Sequence, residues 1–144
     1  MGLTPFHIAL QVRDIDEAKL FYGGLLGLHQ GRSSSNWVDF DMFGHQFVCH
    51  LNPGIGKDGK VGLHYNPVDG DSVPVPHAGV VLEMKDWITF SSFLRDSEID
   101  FIIEPHIRFE GEPGEQATMF FLDPTGNALE FKAFKDIKNE LFKT

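Results

Sequence analysis

Seven histidines are distributed over the 144 residues, and two of them open apolar runs that resemble each other. The runs are Pro5-Phe6-His7-Ile8-Ala9-Leu10-Gln11-Val12 and Val75-Pro76-His77-Ala78-Gly79-Val80-Val81-Leu82. Two further side chains able to bind a metal or move a proton, His50 and Glu130, stand in the last apolar run of each half. Neutral imidazole and carboxylate suit Fe(II), Mn(II), Ni(II), Co(II) or Zn(II). Imidazole also exchanges a proton near neutral pH and so can act as an acid or base. A single strand histidine is more often a hydrogen-bonded structural residue. Repetition at matched places is what sets these four apart.

Strand alternation decides which side chains share a face. His7, Ala9 and Gln11 point one way while Phe6, Ile8, Leu10 and Val12 point into the core, and His77 points away from Ala78, Val80 and Leu82. Glu130 shares a face with Ala128 and Lys132, and His50 with Gln46 and Val48. Glu130 follows Gly126 by four residues and His50 follows Gly44 by six. The difference is even, so both are expected on the same face of duplicated last strands.

The elements that must hold these residues also come twice. After each opening strand an Asp can cap a helix: Asp14 or Asp16 ahead of Ala18, Leu20, Phe21 and Leu25, and Asp86 ahead of Phe90, Phe93 and Leu94. A weak strand follows near Gln30–Ser33 and Phe101–Ile103. Next comes a strand entering an Asp-x-x-Gly turn, at Asp41–Gly44 and Asp123–Gly126, and then a final strand, Gln46–Leu51 and Ala128–Phe134. The expected class is α+β, with βαβββ modules at about residues 4–52 and 75–134, a Gly/Pro/Asn/Asp-rich joint at about 53–74, and a tail at 135–144. Glu104–Thr118 is expected to be a long loop. The spacing of Phe134, Ile137, Leu141 and Phe142 predicts a short packed helix.

Composition removes several functions. Twelve basic residues against 21 acidic ones give a net charge of −9, which repels nucleic acid. No apolar run is long enough to span a membrane, and no basic segment precedes the apolar N-terminal stretch. Cys49 is the single cysteine, so disulfides and cysteine-rich zinc motifs are excluded and a reducing cytoplasm is the expected compartment.

Two segments carry a resemblance: His7-Ile-Ala-Leu-Gln-Val-Arg-Asp-Ile-Asp-Glu-Ala-Lys-Leu-Phe-Tyr22 with Gly24-Leu-Leu-Gly-Leu28, and Phe121-Leu-Asp-Pro-Thr-Gly-Asn-Ala-Leu-Glu-Phe131. They resemble the vicinal oxygen chelate superfamily, which includes glyoxalase I, bleomycin-resistance proteins, fosfomycin-resistance enzymes, methylmalonyl-CoA epimerase and extradiol dioxygenases. The resemblance implies paired modules forming a cup-shaped mixed sheet around one divalent metal. It assigns His7, His77 and Glu130 to the metal triad, and a homodimer is expected with it, burying Phe-rich surface that includes the tail at Phe134, Ile137 and Leu141. His50 falls where glyoxalase I has a fourth, acidic ligand.

Two-His, one-carboxylate ligation leaves adjacent positions open to two vicinal oxygens of a small-molecule substrate and, on Fe(II), to dioxygen. A metal-dependent ring-cleaving dioxygenase of the extradiol type is therefore the first expectation, with Fe(II) the favoured ion and Mn, Ni, Co or Zn the alternatives. His50 is then an acid/base group. If His50 is instead a ligand, a glyoxalase I-like lyase/isomerase or an epimerase acting through an enediolate is expected, with Glu130 as the proton shuttle that the resemblance implies. A third expectation is a non-catalytic drug-binding protein, which would not need the triad. Fosfomycin-type chemistry is disfavoured by Ala9, where that group carries threonine. Arg108 and Lys132 are the basic residues expected to hold a carboxylate or phosphonate.

Overall fold

The computed structural model describes residues 2–144. The chain forms two compact units, one running to Gly62 and including Asp123–Asn127, the other comprising Leu63–Leu122 and Ala128–Thr144.

In the first unit, β1 (His7–Val12), β2 (His29–Ser33), β3 (Trp37–Met42) and β4 (His45–Leu51) form one sheet in the order β1-β4-β3-β2. β1 and β4 are parallel, and the other neighbours are antiparallel. A parallel pair needs a crossover, supplied here by helix α1 (Ile15–Ala18), which continues as a π-helical segment, Lys19–Leu25. The Asp14 side chain accepts from the Glu17 amide at 2.7 Å and caps α1, as one of the two expected Asp residues. Tyr22 is fully buried, with its ring packed on Phe21, Phe40 and Phe47. Such aromatic pairs contribute roughly 0.5–1.5 kcal/mol each beyond the area they bury. Phe43 and Gly44 both have positive φ, 52° and 90°, the left-handed pair that a two-residue hairpin turn requires. Asp41 closes that turn by accepting from the Gly44 amide.

The second unit repeats the plan. β7 (His77–Glu83), β8 (Phe101–Arg108), β9 (Gln116–Leu122) and β10 (Ala128–Phe134) form a sheet in the order β7-β10-β9-β8, with β7 and β10 parallel. Helix α2 (Met84–Arg95) buries Trp87, Phe90, Ser91 and Leu94, an i, i+3, i+4, i+7 stripe. The Trp87 indole donates to the Phe131 carbonyl at 2.8 Å. Two four-stranded mixed sheets with few helices thus make an α+β chain of duplicated βαβββ type. Among the described residues no helix is long and apolar enough to cross a membrane.

Several expectations change. The joint contains a hairpin, β5 (His64–Val68) and β6 (Asp71–Val75), turned at Asp69-Gly70, where both φ values are positive. β8 runs on through Glu104 to Arg108 and β9 starts at Gln116, so the expected loop shrinks to residues 109–115. An edge strand tolerates Pro105 because its outer side needs no ladder hydrogen bond. Helix α2 starts directly after β7 with Glu83 at the cap position, and Asp86 lies inside the first turn, where its charge still favours the helix dipole. Phe6 precedes β1 and is 66% exposed, and Phe93 is 50% exposed, so neither belongs to the core. The tail forms the short helix α3 (Ile137–Glu140). Phe134 is already buried within its own chain, which removes it from any dimer surface, while Ile137 and Leu141 are half-buried and Phe142 is 89% exposed.

Candidate metal and substrate site

In the second unit, β7 and β10 place His77 and Glu130 in contact: Nε2 is 3.2 Å from Oε2. Three neighbours fix this pair. His77 Nδ1 lies 2.7 Å from the Pro74 carbonyl oxygen, which can only accept, so Nδ1 carries a hydrogen. The Thr118 hydroxyl donates to Glu130 Oε1 at 2.8 Å, leaving Oε2 toward His77. Phe120 meets the His77 ring edge-on at 5.1 Å. Backbone proximity has its own requirement, since a Cβ on Gly79 would collide with the Glu130 carbonyl oxygen.

These two groups line a cavity of about 350 Å³ together with Thr118, Lys132, His106 and Arg108. Lys132 is half-buried on the Glu130 face of β10, its ammonium 5.8 Å from the centre of the Phe134 ring. Arg108 reaches the cavity but is paired with Asp69 of the β5–β6 turn at 3.0 Å. Both residues expected to bind substrate therefore stand in one cavity with His77 and Glu130, one of them already engaged by an acidic partner.

His7 and His50 belong to the first unit. His7 Nδ1 lies 2.8 Å from Gln46 Oε1, and Gln46 Nε2 donates to Asp39 Oδ2 at 3.2 Å. His50 is exposed near the end of β4, opposite Gln11 on β1 and Trp37 on β3. Strand register corrects the matching of repeats. β1 sets Ala9 beside Val48 as β7 sets Gly79 beside Glu130, and Gln11 beside His50 as Val81 beside Lys132. The counterpart of Glu130 is therefore Val48, and that of His50 is Lys132. Parity alone could not separate positions two residues apart on one strand.

A third cluster buttresses the first unit. The Tyr22 hydroxyl donates to Asp123 Oδ2 at 2.7 Å, the Asn127 amide group adds a second donor at 2.9 Å, and Asn127 Nδ2 also reaches the Gln11 carbonyl. Burial raises the Asp123 carboxyl above its ordinary value although these donors oppose the shift, and burial raises the Tyr22 phenol well above its own. Burial likewise raises the Cys49 thiol, which holds it as an unreactive core residue. The Asp-Pro-Thr-Gly-Asn segment is thus a structural brace.

Pro74, Thr118, Gln46 and Asp39 were not legible as site residues. Gln46 lies on its expected face, whereas Thr118 was expected in a loop and lies within β9, and only cross-strand pairing brings the two to His7 and Glu130. Pro74 contributes a backbone oxygen, for which side-chain identity carries no signal.

The chain belongs to the Glyoxalase/Bleomycin resistance protein/Dioxygenase superfamily, whose family model matches residues 4–131. It is similar to a glyoxalase/bleomycin resistance protein/dioxygenase from Alicyclobacillus acidocaldarius at 32% identity, covering 90% of each chain with a TM-score of 0.69. A lactoylglutathione lyase from Agrobacterium tumefaciens shares the fold at 16% identity and TM-score 0.61, over 99% of this chain and 97% of that one. So does a genomically encoded fosfomycin resistance protein from Listeria monocytogenes, at 14% identity and TM-score 0.61, over 92% and 94%. Among curated proteins no relative matches the chain.

Members of this superfamily typically bind a divalent metal, and some are not enzymes. The His77–Glu130 pair fits such an ion as two donors. With Nδ1 committed to Pro74, Nε2 turns toward a carboxylate oxygen at 3.2 Å. A lone pair facing an anion is repulsive unless a proton or a metal cation lies between them. Among the described residues no group of three or more His, Cys, Asp or Glu side chains is gathered around one point; His77 and Glu130 are two potential donors in contact.

Proposed function

We propose that this protein is a divalent-metal-dependent enzyme that chelates a small substrate through vicinal oxygens, with ring-cleaving dioxygenation on Fe(II) as its reaction. The observation that carries the reading is the opposed His77 Nε2 and Glu130 Oε2, each held from behind by a group unable to neutralise it. His77 and Glu130 are the proposed ligands from the second unit, and His7 is the further ligand carried over from the repeat and the family resemblance. Val48 at the counterpart of Glu130 cannot ligate, which favours three protein ligands over four and hence a dioxygenase over a glyoxalase-type isomerase.

The metal, when bound, supplies Lewis acidity and, as Fe(II), a place for dioxygen. The chain's own groups bind and orient. Lys132, on the Glu130 face, holds an anionic substrate oxygen, and Arg108 joins it when Asp69 releases the guanidinium. Thr118 holds Oε1 and Oε2 faces His77, so the Glu130 carboxylate is oriented toward the proposed ion, where it is also the proposed proton shuttle of the isomerase alternative. His50 is the proposed second proton-exchanging group. The reading includes a homodimer in a reducing compartment, with Ile137, Leu141 and the exposed Phe142 supplying apolar surface at the tail.

Metal analysis of anaerobically purified protein is the direct test. The parent should hold one divalent ion per chain, His77→Ala and Glu130→Ala should lose it, and Fe(II)-loaded protein should consume dioxygen with a catechol. Glu130→Ala with full metal content and turnover would overturn the ligand assignment. Anaerobic turnover of a hemithioacetal or an α-chiral thioester, without dioxygen uptake, would replace oxygenation by isomerisation.

A further inference from the structure

His7 and His77 present the same problem and reach the same answer by different means. A histidine ligand or acceptor works through one nitrogen, and the partner of the other nitrogen decides which. For His77 that partner is the Pro74 carbonyl. For His7 it is a side-chain amide, which could in principle turn either end toward the ring.

Asp39 removes that freedom. Its carboxylate oxygen Oδ2 lies 3.2 Å from Gln46 Nε2, and a carboxylate in that role only accepts, so the NH₂ end of Gln46 must face it. The amide oxygen then faces His7 Nδ1 at 2.8 Å, and because that oxygen also only accepts, the ring hydrogen sits on Nδ1. Nε2 is left with its lone pair.

Asp39 is costly to keep. It is 9% exposed, and its Oδ1 has no hydrogen-bond partner among the described residues. A buried half-paired carboxylate lowers stability. Nothing in the sheet requires one, since the corresponding position of the second sheet, opposite Glu130, holds Phe120, as Asp39 stands opposite Val48. Room for the carboxylate is made locally. A Cβ on Gly31 would collide with Oδ1, and the β2–β3 ladder shifts register between Gln30 and Ser33.

We propose that Asp39, acting through Gln46, is a positioning residue that locks His7 in the Nδ1–H tautomer and so presents Nε2 as its acceptor nitrogen. Its use in metal binding rests on the reading of His7 as a ligand, whereas the tautomer lock itself does not.

The two are separated by experiment on the full chain. Long-range ¹H–¹⁵N correlation spectra of metal-free protein, recorded where imidazoles are neutral, should show His7 with unprotonated Nε2. In Asp39→Asn the new amide can face Gln46 with either end, so the lock is lost and His7 should become a mixture of tautomers, with stability equal to or above the parent. Gln46→Met removes the relay while keeping the Asp39 carboxyl in place, though without its amide partner, and should give the same mixture, which keeps the test open if one variant fails to fold. An unchanged His7 tautomer in either folded variant overturns the proposal. Zn(II) affinity, read by chelator competition, should fall by about 10–100-fold in both variants, the usual loss when the group behind a ligating histidine is removed. His7→Ala binding Zn(II) as tightly as the parent would overturn the ligand reading alone, leaving the tautomer result to stand.

Discussion

Thr118→Val isolates the support behind the proposed carboxylate ligand. The side chains are nearly isosteric, and valine suits a strand at least as well as threonine. What is lost is one 2.8 Å hydrogen bond to Glu130 Oε1. The Glu130 side chain is only 14% exposed, so water replaces that donor poorly. A hydrogen bond to a charged group is worth about 1.5–3 kcal/mol, or roughly 10–150-fold in an equilibrium constant. Loss of a group behind a metal ligand typically costs ~10–100-fold in affinity, a range reached independently. The two overlap at about 10–100-fold weaker metal binding for Thr118→Val. The bond is already made without an ion, so its loss also lowers the stability of the metal-free fold, and the affinity falls to the extent that the freed carboxylate turns away from His77. Chelator competition with Zn(II) or Fe(II) reads the affinity, and urea unfolding of the metal-free chain reads the stability. Affinity within twofold of the parent in a folded variant would refute the reasoning, since Glu130 would then need no orienting donor.

Gly79→Ala places a Cβ against the Glu130 backbone, so β7 and β10 must separate; stability should fall by about 1–3 kcal/mol, measured by urea unfolding, and bound metal should be lost with it. Gly24→Ala, with open space around the added atom, should change neither. Lys132→Met should raise KM for an anionic substrate by ~10-fold or more with a smaller change in kcat, as removal of a charge-assisted contact predicts. The Asp123 carboxyl is raised by burial above its ordinary 3.8, so its favourable contribution is complete below that value and declines as pH rises through the raised one. The stability difference between the parent and Asp123→Asn, followed by thermal unfolding, should therefore shift against the parent as pH rises from below 3.8 and become flat above the raised value; a shift in the parent's favour would contradict the assignment.

The elements that were legible are those whose signal is local. Alternation in His7–Val12 and Ala128–Phe134 fixed which residues face the core, and the Asp-x-x-Gly turns fixed where strands reverse. Two local signals misled. Asp69-Gly70 is a strong hairpin turn, but Pro67 and Pro74 in the flanking strands made the segment read as a joint, although those strands pair only with each other and need few ladder donors. The strand expected near Phe101–Ile103 likewise continues, past Pro105 and along an edge, to Arg108. That extension is what brings Arg108 to the cavity and to Asp69.

What local signals cannot carry is register, and the candidate site depends on it. A strand repeats every two residues, so parity places Gln46, Val48 and His50 on one face without saying which of them stands where Glu130 stands. The hairpin lengths permit a match to either Val48 or His50, and His50 attracts the match because its side chain can ligate. The parallel neighbour breaks the tie: Gly79 faces Glu130, Ala9 faces Val48, and His50 falls one step further along, level with Lys132. Duplication therefore supplied two opening histidines and one closing carboxylate, and the fourth position is a hydrocarbon. With no fourth donor on that strand position, a bound ion would keep more of its coordination positions for substrate. That difference in vacancy, and not the identity of His50, is what separates the dioxygenase reading from the isomerase reading.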